Sequence, residues 1–240
     1  MRTDSWRFLI MTAGSLVAGG LAGCAGGGSG GDDDDEPPGP SELIDDLEDG
    51  DDAIDEAGGR MGGWYTFNDA STTGSQIPPA SGFTPTTGGA GGSAFSASTS
   101  GTGFTVWGAG MGFDLNNPAA VGLTGPRAAY DASRFASIGF KARGNVPFRV
   151  SLEVTGVTPS DRGGTCTPST VEGEECDDLH GTMIDPTSEW QHYVVRFEQI
   201  RQGGWGRAVP FAATDVTAVL FQADKDLSFD VAVDDVRFYE

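Results

Sequence analysis

The chain has 240 residues, room for one domain of ordinary size, and 38 of them are glycine, a composition that favours turns and short strands over long helices. Its formal net charge is −21, from 14 Lys and Arg against 35 Asp and Glu; with so few basic residues and no basic stripe, nucleic acid is excluded as a partner. The charge is unevenly placed. Between Asp32 and Glu56 stand 14 carboxylates and no Lys or Arg, whereas residues 57–240 hold 20 acids and 12 bases, a net of −8 that is ordinary for a soluble domain.

The chain opens with Arg2 and Arg7 and then an apolar run from Phe8 to Gly23 rich in small residues. This is the layout of an export signal. The run holds several glycines and falls short of the roughly 20 apolar residues that a membrane span needs. It ends Leu21-Ala22-Gly23-Cys24, which resembles the bacterial lipoprotein signal. That resemblance implies removal of residues 1–23, lipid on Cys24 and a durable membrane tether, since two or more acyl chains anchor stably where one does not. Residue 25 is Ala and not Asp, so the resemblance points to the outer membrane.

Lipid on Cys24 leaves Cys166 and Cys176 as an even pair, expected to form a disulfide in an exported protein. The competing arrangement is a metal site built from Cys176, Asp177, Asp178 and His180, which lacks a second Cys or His at ligand spacing.

Residues 24–40 follow as a linker. Glycines, the acids Asp32–Glu36 and three prolines leave nothing large enough to bury, so an extended, self-repelling stalk is expected, with only diffuse affinity for cations.

Residues 41–240 form the expected domain. Period-two alternation, punctuated by Gly, Pro, Asn and Asp, predicts strands over Trp64–Phe67, Ala94–Ser98, Phe104–Phe113, Ile138–Ala142, Phe148–Val154, Gln191–Phe197, Ala218–Gln222 and Ser228–Tyr239. With no convincing amphipathic helix among them, these strands predict an all-β, two-sheet antiparallel sandwich.

Several segments fall in an order that resembles the jelly-roll carbohydrate-binding modules of the galactose-binding-like type, especially the family 11-like group. The carriers are Leu43-Ile44-Asp45-Asp46-Leu47-Glu48-Asp49-Gly50 at the start, Gly62-Gly63-Trp64-Tyr65-Thr66-Phe67-Asn68-Asp69 soon after, and Val233-Asp234-Asp235-Val236-Arg237-Phe238 at the end. Between them lie Tyr130–Phe135, Ile138–Gly144 and Trp190–Phe197. The resemblance implies a jelly roll that binds poly- or oligosaccharide. It also implies pairing of the terminal strands and a structural calcium held there by Glu48, Asp46, Asp234 and Asp235, calcium being a hard cation that wants six to eight oxygens.

Sugar recognition by aromatic faces and hydrogen-bonding side chains makes Trp64, Tyr65, Trp107, Trp190 and Trp205 the available platforms. Trp190 and Tyr193 sit in a strongly alternating segment and read as core. Trp205, amid Gly203, Gly204 and Gly206, has nothing local to pack on. Tyr65 follows Trp64 in one strand, so one of the two rings faces outward. The expected binding face is therefore Trp205, Tyr65, Arg201 and Gln202.

No catalytic motif is present: there is no G-x-S-x-G, H-E-x-x-H or phosphate loop, and neither His180 nor His192 has an obvious nucleophile partner. The expectation is a non-catalytic, anchored, carbohydrate-binding domain at the cell surface. The alternative is an envelope assembly protein that uses the same face for a protein partner.

Overall fold

The computed structural model describes residues 39–117 and 126–240. The expected signal segment, the lipidation site Cys24 and nearly all of the 24–40 linker lie outside the described residues. The described chain contains β1 (Ser41–Asp45), β2 (Trp64–Asn68), β3 (Ser75–Ile77), β4 (Thr86–Thr87), β5 (Phe95–Thr102) and β6 (Ala109–Asp114). These are followed by β7 (Ser137–Gly144), β8 (Phe148–Val154), β9 (His180–Ile184), β10 (Gln191–Arg196), β11 (Val216–Ala223) and β12 (Phe229–Tyr239). Among the described residues no helix is long and apolar enough to cross a membrane.

The strands form the expected all-β, two-sheet antiparallel sandwich. One sheet runs β10-β7-β12-β5-β3, with β1 also on β12 and β4 on β5; the other runs β2-β6-β11-β8-β9. The terminal strands pair as expected: Ser41 lies opposite Tyr239 and Leu43 opposite Arg237. Strand β12 is long enough to serve two neighbours on this edge, its first half pairing with β5 and its second half with β1. The changeover falls where its register against β7 shifts, between Asp234 and Arg237, and Asp235 there takes φ +49°.

Alternation sorts the side chains of each sheet. In the five-stranded sheet Trp64, Phe113, Val219 and Leu152 lie opposite one another across β2, β6, β11 and β8, and all four are buried in the core. Phe140, Val231, Val233 and Phe238 face them from the seven-stranded sheet as part of the same cluster. Phe221 stacks on Trp64 with ring centroids 6.1 Å apart and meets Phe140 edge-on at 5.2 Å, which ties the two sheets together.

All eight predicted strands are present, with one correction. The segment Phe104–Phe113 is not continuous: the strand begins at Ala109, and residues 103–108 form a turn entered and left through Gly103 (φ +80°) and Gly108 (φ +106°). Asp69 captures that turn. Its Oδ2 accepts the backbone N–H groups of Val106, Trp107 and Gly108 at 2.8, 2.9 and 3.0 Å, leaving those donors unavailable to a strand ladder.

Candidate functional site

The outward face of the five-stranded sheet carries a cleft. Its middle row is Tyr65, Gly112, Leu220 and Ser151, and the next is Phe67, Gly110, Gln222 and Arg149. Two glycines on β6 therefore lie under the face. A Cβ at Gly110 would come 2.8 Å from the ring of Phe67 and 2.2 Å from the Phe221 carbonyl oxygen, so the floor there stays bare backbone. Above it is a cleft of about 540 Å³, lined by Tyr65, Phe67, Trp107, Trp205, Leu220 and Gln222 among others. Its size is that of a small-ligand site.

One end of the floor is charged. Asp114 on β6 and Glu153 on β8 are both paired with Ala218 of β11. The small Ala218 side chain leaves room for the Arg127 guanidinium to lie between them: Nε forms an ion pair with Asp114 Oδ1 at 2.7 Å, Nη1 donates to Glu153, and Nη2 donates to the Tyr65 hydroxyl at 3.0 Å. All three charged side chains are almost wholly buried. Burial raises the Asp114 carboxyl above its ordinary value, against the pull of Arg127. Arg162, at the rim, pairs with Asp177 and stands 3.7 Å from Glu153.

The walls are aromatic. Phe67 and Trp107 follow one another along one side above Tyr65 at its base, with successive ring centroids 6.2 and 6.0 Å apart. Trp205 stands on a loop bonded to Asp178, just ahead of β9 at the other edge of the sheet. Trp107 is 41% exposed and Trp205 52%, whereas of the other described tryptophans Trp64 is buried and Trp190 is partly buried.

Of the residues expected to form the binding face, Trp205 and Tyr65 line the cleft. Tyr65 is only 2% exposed and forms floor beneath the aromatic wall, its hydroxyl held by Arg127, so it offers no open ring face. Gln202 and Arg201 are placed elsewhere. The Gln202 amide braces its own loop, donating to the Asp178 and Arg207 carbonyls at 2.7 and 2.9 Å and accepting from Val209 N–H at 2.8 Å. Arg201 donates to the carbonyls of Glu198 and Ile200 at 2.6 and 2.7 Å. Trp64 is core, its indole N–H donating to Asp45 at 2.7 Å, and Trp190 lies against the Arg143 guanidinium at 5.1 Å. Phe67, Trp107 and Arg127 are among the cleft residues that the expected face lacks. Phe67 was open to alternation, since it shares the outward parity of Tyr65; Trp107 lies in the turn that interrupts the predicted strand, and Arg127 sits in a loop with no local pattern.

Cys166 and Cys176 are joined, with Cα atoms 5.8 Å apart. This excludes the competing metal arrangement: Cys176 has no thiolate to offer, Asp178 is occupied by backbone N–H groups, and the His180 ring nitrogen Nε2 is 2.8 Å from the Val209 carbonyl oxygen.

The acids expected to hold calcium are committed to other partners. Glu48 Oε1 accepts from Ser93 Oγ and from the N–H groups of Ala94 and Phe95 at 3.0, 2.8 and 3.1 Å. Asp234 accepts from Ala90 N–H and Asp235 N–H at 2.8 and 2.7 Å. Glu48 and Asp234 thus brace the same 90–95 segment. Asp235 binds Lys141 and Arg237 at 3.2 and 2.7 Å, and Asp46 accepts Glu48 N–H at 3.2 Å. Among the described residues no three of His, Cys, Asp or Glu are grouped to hold a metal ion. This donor set does not fit calcium, because each carboxylate already faces an N–H, an O–H or a cation.

No protein-family model matches the chain. Over 46 residues it is 41% identical to Endoglucanase 3 of Fibrobacter succinogenes, a stretch that is 19% of this chain and 7% of that enzyme, so the chain spans a small fraction of this relative. Among solved structures it is similar to a family 11 carbohydrate-binding module of a cellulosomal cellulase of Clostridium thermocellum, with a TM-score of 0.49 and 14% identity, covering 85% of this chain and 96% of that one. A family 11 module from the same organism in complex with a β-1,3-1,4-mixed-linked tetrasaccharide gives 0.45 and 15%, over 79% and 95% of the two chains. A family 30 carbohydrate-binding module gives 0.43 and 13%, over 65% and 72%.

Proposed function

We propose that this chain is a non-catalytic carbohydrate-binding domain, exported and held to the outer membrane through lipid on Cys24, whose glycan lies in the cleft between Trp107 and Trp205. The observation that carries the reading is the placement of two exposed indoles on either side of an open cleft with an aromatic wall. Flat ring faces pack on the C–H surfaces of pyranose rings, and the polar groups of the rim serve hydroxyls. The carboxylates support binding over hydrolysis. Glycoside hydrolysis needs two carboxylates that reach the scissile bond, whereas Asp114 and Glu153 are 2% and 1% exposed and share one guanidinium.

Affinity electrophoresis and calorimetry against a panel of neutral and acidic polysaccharides, including mixed-linked β-1,3-1,4-glucan, test this reading. At least one glycan is expected to retard the protein without being cleaved. Trp107→Ala and Trp205→Ala should each weaken binding on the order of tenfold, as loss of a tryptophan anchor does elsewhere. Failure of the whole panel, with an envelope protein captured through the same face, would favour the assembly reading. Labelling of the protein with a fatty-acid probe, abolished by Cys24→Ala, tests the anchor.

A further inference from the structure

The two exposed indoles of the cleft stand on loops built the same way. Gly203, Gly204, Trp205 and Gly206 all point their N–H groups at the buried carboxylate of Asp178, at 2.6, 2.8, 3.1 and 3.1 Å. Val106, Trp107 and Gly108 do the same toward Asp69. Consecutive backbone N–H groups that converge in this way form a concavity for an anion. Here each concavity is filled by a carboxylate of the chain itself, from a position 25 to 39 residues away.

The glycines around Trp205 follow from this arrangement. Gly204 takes φ +85°, and a Cβ on Gly206 would stand 2.7 Å from Asp178 Cβ, so the wrap calls for glycine on both sides of Trp205. Hydrogen bonds to an ionised acceptor are the stronger class. Burial raises the Asp69 carboxyl, but the Ser71 side chain and the Gly108, Trp107 and Ser71 amides bring it well below the usual carboxylate range. A second set of bonds, Gly173 N–H to the Trp205 carbonyl and Arg207 N–H to the Glu175 carbonyl, at 3.2 and 2.9 Å, ties the Trp205 loop to the disulfide-closed ring.

We propose that Asp178 and Asp69 are the positioning residues of the two aromatic platforms, each carboxylate fixing the loop that carries one indole so that both rings are set before ligand arrives. Neither aspartate is among the residues that line the cleft; each acts through its tryptophan. The consequence for affinity rests on the glycan-binding reading of the cleft, whereas the positioning itself does not. Setting the platforms in advance spares binding the cost of ordering them.

Hydrogen exchange and a set of double-mutant cycles test the proposal together. Asp178→Ala should speed exchange at 203–206 and leave 106–108 unchanged, and Asp69→Ala should do the reverse. With a glycan that the wild type binds, Asp178→Ala should weaken affinity nearly as much as Trp205→Ala and cost nothing further when added to it. Asp69 and Trp107 should behave alike, while the crossed pairs Asp178 with Trp107 and Asp69 with Trp205 should be additive. Asp178→Asn and Asp69→Asn keep the side-chain volume and should show the same pattern if the alanine variants fold poorly. Additivity within the matched pairs, or unchanged exchange in the loops, would overturn the proposal. If the wild type binds no glycan, the cleft reading fails and the exchange pattern alone decides the positioning.

Discussion

Asp114 and Glu153 flank the same residue, Ala218, from the two neighbours of β11, and a single guanidinium, that of Arg127, forms an ion pair with each. Two strand spacings separate their backbones by about 9.5 Å, so only a long, forked cation lying over a small side chain spans the gap. Arg127→Met removes the cation and leaves two buried carboxylates. A loss of about 3–5 kcal/mol is expected, the usual result of breaking a buried pair from one side, and urea denaturation at neutral pH measures it. Adding Asp114→Asn and Glu153→Gln should recover most of the loss; no recovery would show that Arg127 matters through packing alone.

Asp45 gives the fold a dependence on pH. Burial, with the nearby charges of Asp49 and Asp46, pushes its carboxyl up to about 7 against the hydrogen bonds from Leu47 N–H and the Trp64 indole. The folded protein thus holds this proton more tightly than the unfolded chain, whose Asp45 titrates near 3.8. Its stabilising contribution is complete below about pH 4, is lost as pH rises toward 7 and is flat above. Chemical denaturation of wild type and Asp45→Asn across this range should show the wild type losing stability relative to the variant. Parallel curves would mean that Asp45 ionises as an ordinary carboxyl.

The commitment of Glu48, Asp234 and Asp235 to backbone and cationic partners predicts a protein indifferent to calcium. Melting temperatures in calcium chloride and in EDTA should coincide. Glu48→Gln should lower the melting temperature equally in both, because the carboxylate serves the 90–95 segment and not an ion. A calcium-dependent rise in the wild type would show that these acids release their partners to a metal.

The Cys166–Cys176 bond closes a ring whose ends are 10 residues apart. Replacing both cysteines by serine should cost about 3 kcal/mol on the chain-entropy estimate for a loop of this size. Because the ring also bonds the Trp205 loop through Gly173 and Glu175, acrylamide quenching of Trp205 in a background lacking the other exposed indole should rise on reduction. Unchanged quenching would show that Asp178 holds the loop without help from the ring.

Much of this was open to local reading. Period-two alternation located eight strands, because side-chain parity is a property of consecutive residues and survives whatever the sheet partner is. Parity of another kind, three cysteines with one assigned to lipid, paired Cys166 with Cys176. The short strands β3 and β4 and the strand β9 at the sheet edge lacked that signal: Ser75–Ile77 and Thr86–Thr87 are too brief to alternate, and His180–Ile184 carries Gly181 and a histidine where aliphatic residues would mark a strand.

What the tertiary structure decided was which groups meet. Trp205 stood out among its glycines, but those glycines suggested a ring with nothing beneath it, and the carboxylate they wrap lies 25 residues or more away. Trp107 looked like part of a long strand until Asp69, nearly 40 residues earlier, claimed its N–H. Arg127 gained its place from Ala218, whose small side chain makes the space between two acids. Alternation and cysteine parity are written along the chain, whereas a buried carboxylate takes its partners from whatever backbone the fold brings within 3 Å or so. The sandwich was therefore legible in the sequence, and the cleft was set by contacts that the sequence leaves implicit.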